Sequence, residues 1–186
     1  MGFSSYDDCG VELAVDLVNS YGVVSGKEEL VDEEALRGFL DERRVTRSGA
    51  VSRRDLREVR RLRSRLRDVF TAGDERVAVD VINDLLARSG ALPQLVDHGE
   101  EPWHLHYHSS KGPLSAHLAA ETAMALALMI RDYGYDRFQQ CEHGTCRDVF
   151  IDVSRNRSRR YCSPKVCGNR ASVAAYRDRQ RSTATR

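Results

Sequence analysis

Four of the chain's five cysteines fall within residues 141–170, "CEHGTCRDVFIDVSRNRSRRYCSPKVCGNR". They form two pairs of identical spacing, Cys141 with Cys146 and Cys162 with Cys167, four residues within each pair and fifteen between them. Zinc takes four thiolate or imidazole ligands in a tetrahedron, and paired ligands on two short loops supply that geometry. The segment has few large apolar side chains and lies near the size below which folds need metals or disulfides. Structural zinc supplies about 10–16 kcal/mol of apparent folding free energy in such modules.

The competing reading is four unrelated thiols or a redox pair. Neither pair is C-x-x-C, and two matched pairs are hard to reach by chance. The start, "MGFSSYDDCG", has acids where a signal peptide needs a basic end and an apolar stretch. Tyr6 also fails the Ser/Thr requirement of the myristoylation pattern. The chain is therefore expected to be cytoplasmic, where thiols stay reduced and paired cysteines point to metal. One structural Zn2+ on Cys141, Cys146, Cys162 and Cys167 is the expectation, with no open position for a zinc-activated water. His143 is the alternative fourth ligand, although it sits only two residues from Cys141, and Cys9 is read as an ordinary thiol.

The spacing also predicts the local fold. "DVFIDV" is strand-forming, "SRNRS" is turn-like, and "RRYC" returns toward the second pair, which reads as a hairpin between the pairs. Ser163 can cap a helix, with Pro164 suiting its first position and Cys167 in its first turn. A ligand knuckle, a hairpin and a helix carrying the last ligand make a treble-clef-like finger.

Upstream the pattern is helical. Apolar residues recur at helical spacing in residues 11–21, 32–43, 52–73, 74–88 and 113–133. The third of these is capped by Ser52 with Asp55 three residues on, stops at Gly73, and buries Leu56, Val59, Leu62, Leu66, Val69 and Phe70. The last is apolar on nearly every side and is expected at the centre of the core; it is read as a buried helix, too short an apolar run to span a membrane. Between the fourth and fifth, "LPQLV" and "WHLHYHS" read as a hairpin, with Trp103, Leu105 and Tyr107 packing on the core and His104, His106 and His108 facing out. The expected fold is mainly α with this hairpin in residues 1–136, followed by the finger in residues 137–186.

The net charge of +1 conceals a contrast. From residue 141 onward there are 11 Lys+Arg against 4 Asp+Glu, a net of +7, while the remainder has 18 against 24, a net of −6. A basic tail on an acidic body points to nucleic acid. On a helix starting near Cys167, Arg170, Arg177 and Arg181 lie within about 20° of one face. Arg155, Arg157, Arg159, Arg160 and Lys165 add a second cluster, with Asn169 beside it. Duplex DNA is the expected partner, through phosphate contacts that release counterions. The structural reading is a solvated basic face, with Asn169 bonding the zinc loop and Arg170 tying helix to hairpin. Residues 53–68 hold eight arginines against three acids, but in so acidic a body ion pairing is the simpler account.

"SRNRSRRYCSPKVCGNR", with its Asp152 to Asn156 segment, closely resembles the CGNR zinc finger, and "LAVDLVNSY" resembles the "D-L-V-N-T" opening of the ABATE domain, with Ser20 in place of Thr. The resemblance implies a bacterial, stress-linked transcription regulator that binds DNA through its finger. Regulators often join such a module to a sensing domain, for which Asp16, Asn19, His104 and His106 are the candidate pocket residues. A zinc-scaffolded interaction or dimerisation module, with a homo-oligomer as its product, and an RNA binder are the rivals. An enzyme is not expected: the chain shows no Gly-rich phosphate loop and no recognisable nucleophile–base pair.

Overall fold

The computed structural model describes residues 5–45, 49–96, 103–107 and 112–184, with the side chains of residues 5–9, 104, 106, 178 and 182–184 outside the description. His108 therefore lies outside it, as do the side chains of Cys9, His104 and His106.

Helix α1 (Ser5–Asn19) crosses α5 (Leu114–Tyr133) so closely that a Cβ on Gly10 would come within 2.7 Å of Ala125 Cβ and 3.3 Å of Glu121 O. Helix α2 (Glu33–Glu42) is capped by Asp32, whose carboxylate accepts from the Ala35 N–H. Helix α3 (Arg53–Thr71) opens on a reciprocal box, the Ser52 side chain accepting from Asp55 N and the Asp55 side chain from Ser52 N. Such a cap is worth about 1 kcal/mol. Helix α4 (Glu75–Ser89) starts on Asp74 and stops at Gly90, whose φ of 65° is a left-handed turn that favours glycine.

These helices close one core. α3 supplies Leu56, Val59, Leu62, Leu66, Val69 and Phe70, the face expected from its periodicity, and α1 supplies Leu13, Ala14, Leu17 and Val18. α5 packs against α1, α3 and α4, with eight of its residues buried. By length and mean hydropathy α5 could cross a membrane, but it is a core helix here. Leu17, Leu118 and Leu126 are fully enclosed, each worth about 1.5–3 kcal/mol relative to exposure.

β1 (Gln94–Val96) and β2 (His104–His106) pair antiparallel with Leu95 opposite Leu105. The strand expectation holds here; the packing expectation fails at Trp103 and Leu105, while Tyr107 is half-buried. Trp103 is 66% exposed, Leu105 41% and Leu95 61%. Alternation marks a strand's two faces without saying that either meets a partner, and the helices complete the core without this one.

After α5, Gly134 leads into a single 3-10 turn (Tyr135–Arg137) and then β3 (Phe138–Gln140), which pairs antiparallel with β4 (Val149–Ile151). This pairing differs from the hairpin read between the cysteine pairs: β4 turns back on residues before Cys141, so the strands flank the first pair. The change matters because Phe138, Val149 and Ile151 thereby enter the helical core. The Phe138 ring lies 5.3 Å from Phe70 and 5.4 Å from Tyr135, whose hydroxyl donates to Val69 O at 2.8 Å. A π-helical turn (Pro164–Gly168), capped by Ser163, runs into α6 (Asn169–Ala184). Hairpin and helix around the cysteines give the expected finger on a mainly helical body.

Candidate metal centre and its junction with the helices

The backbone positions all four cysteines. Cys141 leaves β3 with its N–H on Asp148 O, which closes the strand pair over the first loop, and Cys146 N donates to His143 O within that loop. Glu142 N donates to Arg160 O and brings the second pair alongside. Ser163 Oγ accepts from Val166 N, and Gly168 N donates to Ser163 O, which winds the turn carrying Cys167. The four Sγ atoms lie within 4.8 Å of one another, and the Cys146–Cys162 and Cys162–Cys167 separations are both 3.7 Å. A tetrahedral ion with bonds of about 2.3 Å to sulfur sets its sulfurs about 3.8 Å apart. The donor set fits one zinc ion.

The thiols' electrostatics accord with a bound cation. Among the protein groups alone, burial pushes the Cys146 thiol up to about 12, and burial with three sulfur neighbours raises Cys162 as well. Cys141 goes the other way: burial opposes its ionisation, but the N–H groups around it outweigh that and lower it. Four thiolates cannot share so small a volume unless a dication neutralises them. With Cys141 0% and Cys167 4% exposed and all four positions filled by sulfur, the centre is structural. His143 turns its ring to Thr145, with Thr145 Oγ1 3.1 Å from Nδ1, and is not in the sulfur cluster.

Around the centre, buried Asp152 organises the "SRNRS" turn, accepting from Ser154 N at 2.8 Å and Arg159 N at 2.9 Å. Burial works against its charge, but these bonds and the Arg137 cation hold its carboxyl below the usual range. Arg137, itself buried, donates to Asp152 O and to Ser154 O.

Of the polar residues of "DLVNS", Asn19 clasps the centre to the helices, while Asp16 and Ser20 tie the helices to one another. Asn19 Nδ2 donates to Val149 O at 2.9 Å and its Oδ1 accepts from Val149 N at 2.8 Å, so one amide serves as a strand partner along the free edge of β4. Asp16 pairs with Arg43 at 2.9 Å. Ser20, 1% exposed, accepts from buried Arg63, which also grips Glu28 through two 2.7 Å bonds. Arg67 donates to Val18 O and to Arg147 O, bridging α1 and the first cysteine loop.

Two cavities border this junction. One of about 500 Å³ lies between α1, α5 and β4, with Asp16 and Asn19 in its wall. Another of about 400 Å³ lies between the turn at Gly22–Ser25 and the cysteine loops and includes Arg147 and Arg170.

The basic residues sort by partner. Arg159 is engaged internally: its guanidinium sits 4.7 Å over the Phe150 ring and donates to Tyr161 O and Cys162 O. Arg160 pairs with Glu142, and Arg157 with Asp136. Asn169 Nδ2 donates to Lys165 O at 2.9 Å, the structural role. Arg155, Lys165, Arg170, Arg177 and Arg181 are exposed, and so is Arg147, which is not among the residues expected from the sequence. In α3, Arg53, Arg54, Arg60, Arg63 and Arg65 pair with acids.

A family model described as "Putative stress-induced transcription regulator" (ABATE) matches residues 12–133, and one described as "CGNR zinc finger" matches residues 137–180. No curated protein matches the chain. With more than half of its length matched by the first model, and with a four-sulfur centre inside the second, the chain belongs to the ABATE family and carries a CGNR zinc finger.

Proposed function

We propose that this zinc-binding regulator is a cytoplasmic protein that binds duplex DNA through the face formed by α6 and the second cysteine pair, while the helical domain senses a ligand. The observation that carries the reading is the situation of α6. Of its residues with described side chains, only Ala171 is even partly covered; Arg170, Arg177 and Arg181 are exposed on a helix whose footing is the zinc-held turn. A helix whose described side chains are almost all exposed and that carries four arginines against one acid is a candidate for the major groove. Lys165 and Arg147 supply exposed charge near its base, and Arg155 is exposed on the turn after β4.

One observation favours a second reading. Val166, Val173 and Tyr176 are 48%, 48% and 57% exposed, which suits a zinc-scaffolded protein-interaction or dimerisation surface. In both readings the role is binding and not catalysis, since the zinc position is closed by four sulfurs.

Titration of the zinc-loaded protein with a labelled duplex across a salt series separates them. DNA binding predicts a steep fall of affinity with salt, and Arg170→Ala or Arg177→Ala lowers the slope by about 1 each. If the duplex binds no better than a neutral polymer control at low salt, the interaction reading replaces this one. Parallel titration with single-stranded RNA tests the RNA rival.

A further inference from the structure

We infer that the cavity between α1, α5 and β4 is a binding site for an amphipathic organic cation, a protonated amine or quaternary ammonium or phosphonium with an apolar body. The inference deepens the ligand-sensing half of the reading above and rests on it. It places the sensor at the junction of the helical domain with the finger.

Three observations converge. The volume, about 500 Å³, is within the range of small-molecule pockets of roughly 300–1,000 Å³. The walls are apolar on every side: Val15 from α1, Leu128 and Met129 from α5, and Phe150, Ile151 and Val153 from the finger. The polar groups set in those walls are mostly of one sign, four carboxylates (Glu12, Asp16, Asp132, Asp148) against one guanidinium, Arg159.

That guanidinium is already seated on Phe150 and on two carbonyls, so it is not offered to an anion. Asp16 and Asp132 have arginine partners, Arg43 and Arg131, but neither partner lines the cavity. Glu12 makes no ion pair among the described residues. Cys162 also lines the wall, and a zinc ion bound by four thiolates carries a formal charge of −2. An anion would enter against this field, and a neutral apolar molecule would leave it unused. A cation with a hydrophobic body satisfies both the walls and the charge.

The position implies how occupancy reaches the finger. β4 forms one wall through Val149, Phe150 and Ile151 and leads directly back to Asp148 and Cys146. A ligand touching α1, α5 and β4 together favours the docked arrangement of finger on helices, because it loses contacts whenever they part.

Tetraphenylphosphonium and tetraphenylborate share one shape and carry opposite charge, so the pair tests the inference directly. Both are titrated calorimetrically into the full-length, zinc-loaded protein without DNA. The phosphonium is expected to bind at least about tenfold more tightly than the borate. Glu12→Gln, on the exposed side of α1 where folding is not at stake, weakens the phosphonium about threefold. Val153→Trp, at a position 55% exposed, fills the mouth and abolishes binding. Zinc content measured on each variant verifies that the finger remains folded. Bound phosphonium also slows zinc loss to a chelator. Equal affinity for the two ions, no phosphonium binding at all, or binding indifferent to Val153→Trp each overturns the inference. Since no DNA is present, a failed duplex titration leaves this result standing, and the reverse holds too.

Discussion

Replacing Asn19 tests the junction at its narrowest point. Its side-chain amide makes both hydrogen bonds to Val149, at 2.9 and 2.8 Å, and Val149 is 0% exposed. Asn19→Ala removes both partners and leaves one N–H and one C=O on an enclosed strand edge. A buried group deprived of its partner costs about 1–3 kcal/mol. Asn19 is itself half-buried, so water recovers part of that, and the two losses together come to about 2–4 kcal/mol. For a chain of this length the corresponding fall in Tm is roughly 4–16 °C.

Asn19→Asp is the sharper variant. It keeps an acceptor for Val149 N–H but sets a carboxylate oxygen against Val149 O, so it should cost at least as much as alanine although it is nearly isosteric. Urea unfolding of zinc-loaded protein measures both, and chelator-driven zinc release shows whether the finger loosens first. If both variants lose less than about 0.5 kcal/mol, within the range of an ordinary surface change, the pairing does not hold the finger in place.

Other perturbations probe separate parts of the same structure. Substituting Cys162 by serine should lower zinc from one ion per chain to near zero and remove the far-UV helical signal of α6, both readable by metal analysis and circular dichroism; full zinc retention would refute the four-sulfur site. Arg159→Ala should destabilise the finger through its lost bonds to Tyr161 and Cys162, whereas Arg170→Ala should leave stability unchanged and reduce DNA affinity; the reverse pattern would sink the sorting of arginines by partner. Glu28 is a pH test. Burial opposes its charge, but Arg63, Leu30 N and Arg60 outweigh burial and lower its carboxyl below the ordinary value. A carboxyl depressed on folding stabilises the protein above its unfolded value of about 4.3 and loses that contribution as pH falls through the folded value. Acid unfolding followed below about pH 4.5 should therefore be less steep in Glu28→Gln, which starts from lower stability at pH 7.

How legible the chain was depends on how local the determining physics is. The α3 capping box is settled within a few residues and stands where the spacing put it; the caps at Asp32 and Asp74 are equally local. The cysteine spacing works at short range too, because each pair needs only one tight loop. Partners chosen by packing were not legible. β3 reads as "FQQ", three residues with no alternation to see, and it becomes a strand because Phe138 docks on Phe70 and Tyr135 and aligns the backbone with β4. Asn19 was visible as a polar residue on a helix stripe, yet nothing in residues 11–21 says that its amide will meet Val149, 130 positions away. The exposed Trp103 face shows the converse, a local pattern read correctly as strand whose packing depended on what the helices left uncovered.

Arginine count is a poor guide to nucleic-acid binding in a chain that uses so few lysines, and the structure supplies a better criterion. The guanidinium group has five donors in a rigid fork, so it ties carbonyls and carboxylates together as readily as it meets a phosphate. Arg63, Arg67, Arg137 and Arg159 are all used in this way, at points where helix, loop and strand meet. The rival basic helix, α3, loses its claim once its acids are located, because most of its arginines have partners across or along the helix. α6 keeps its claim on exposure: Arg170, Arg177 and Arg181 project from a helix whose described side chains are almost all exposed. The zinc site explains how such a helix can exist, since residues 169–184 bury too little to hold their shape and direction alone. The metal fixes the first turn, and β4, clasped by Asn19, fixes the metal relative to the body. Loosening either joint should therefore weaken duplex binding without removing a single positive charge.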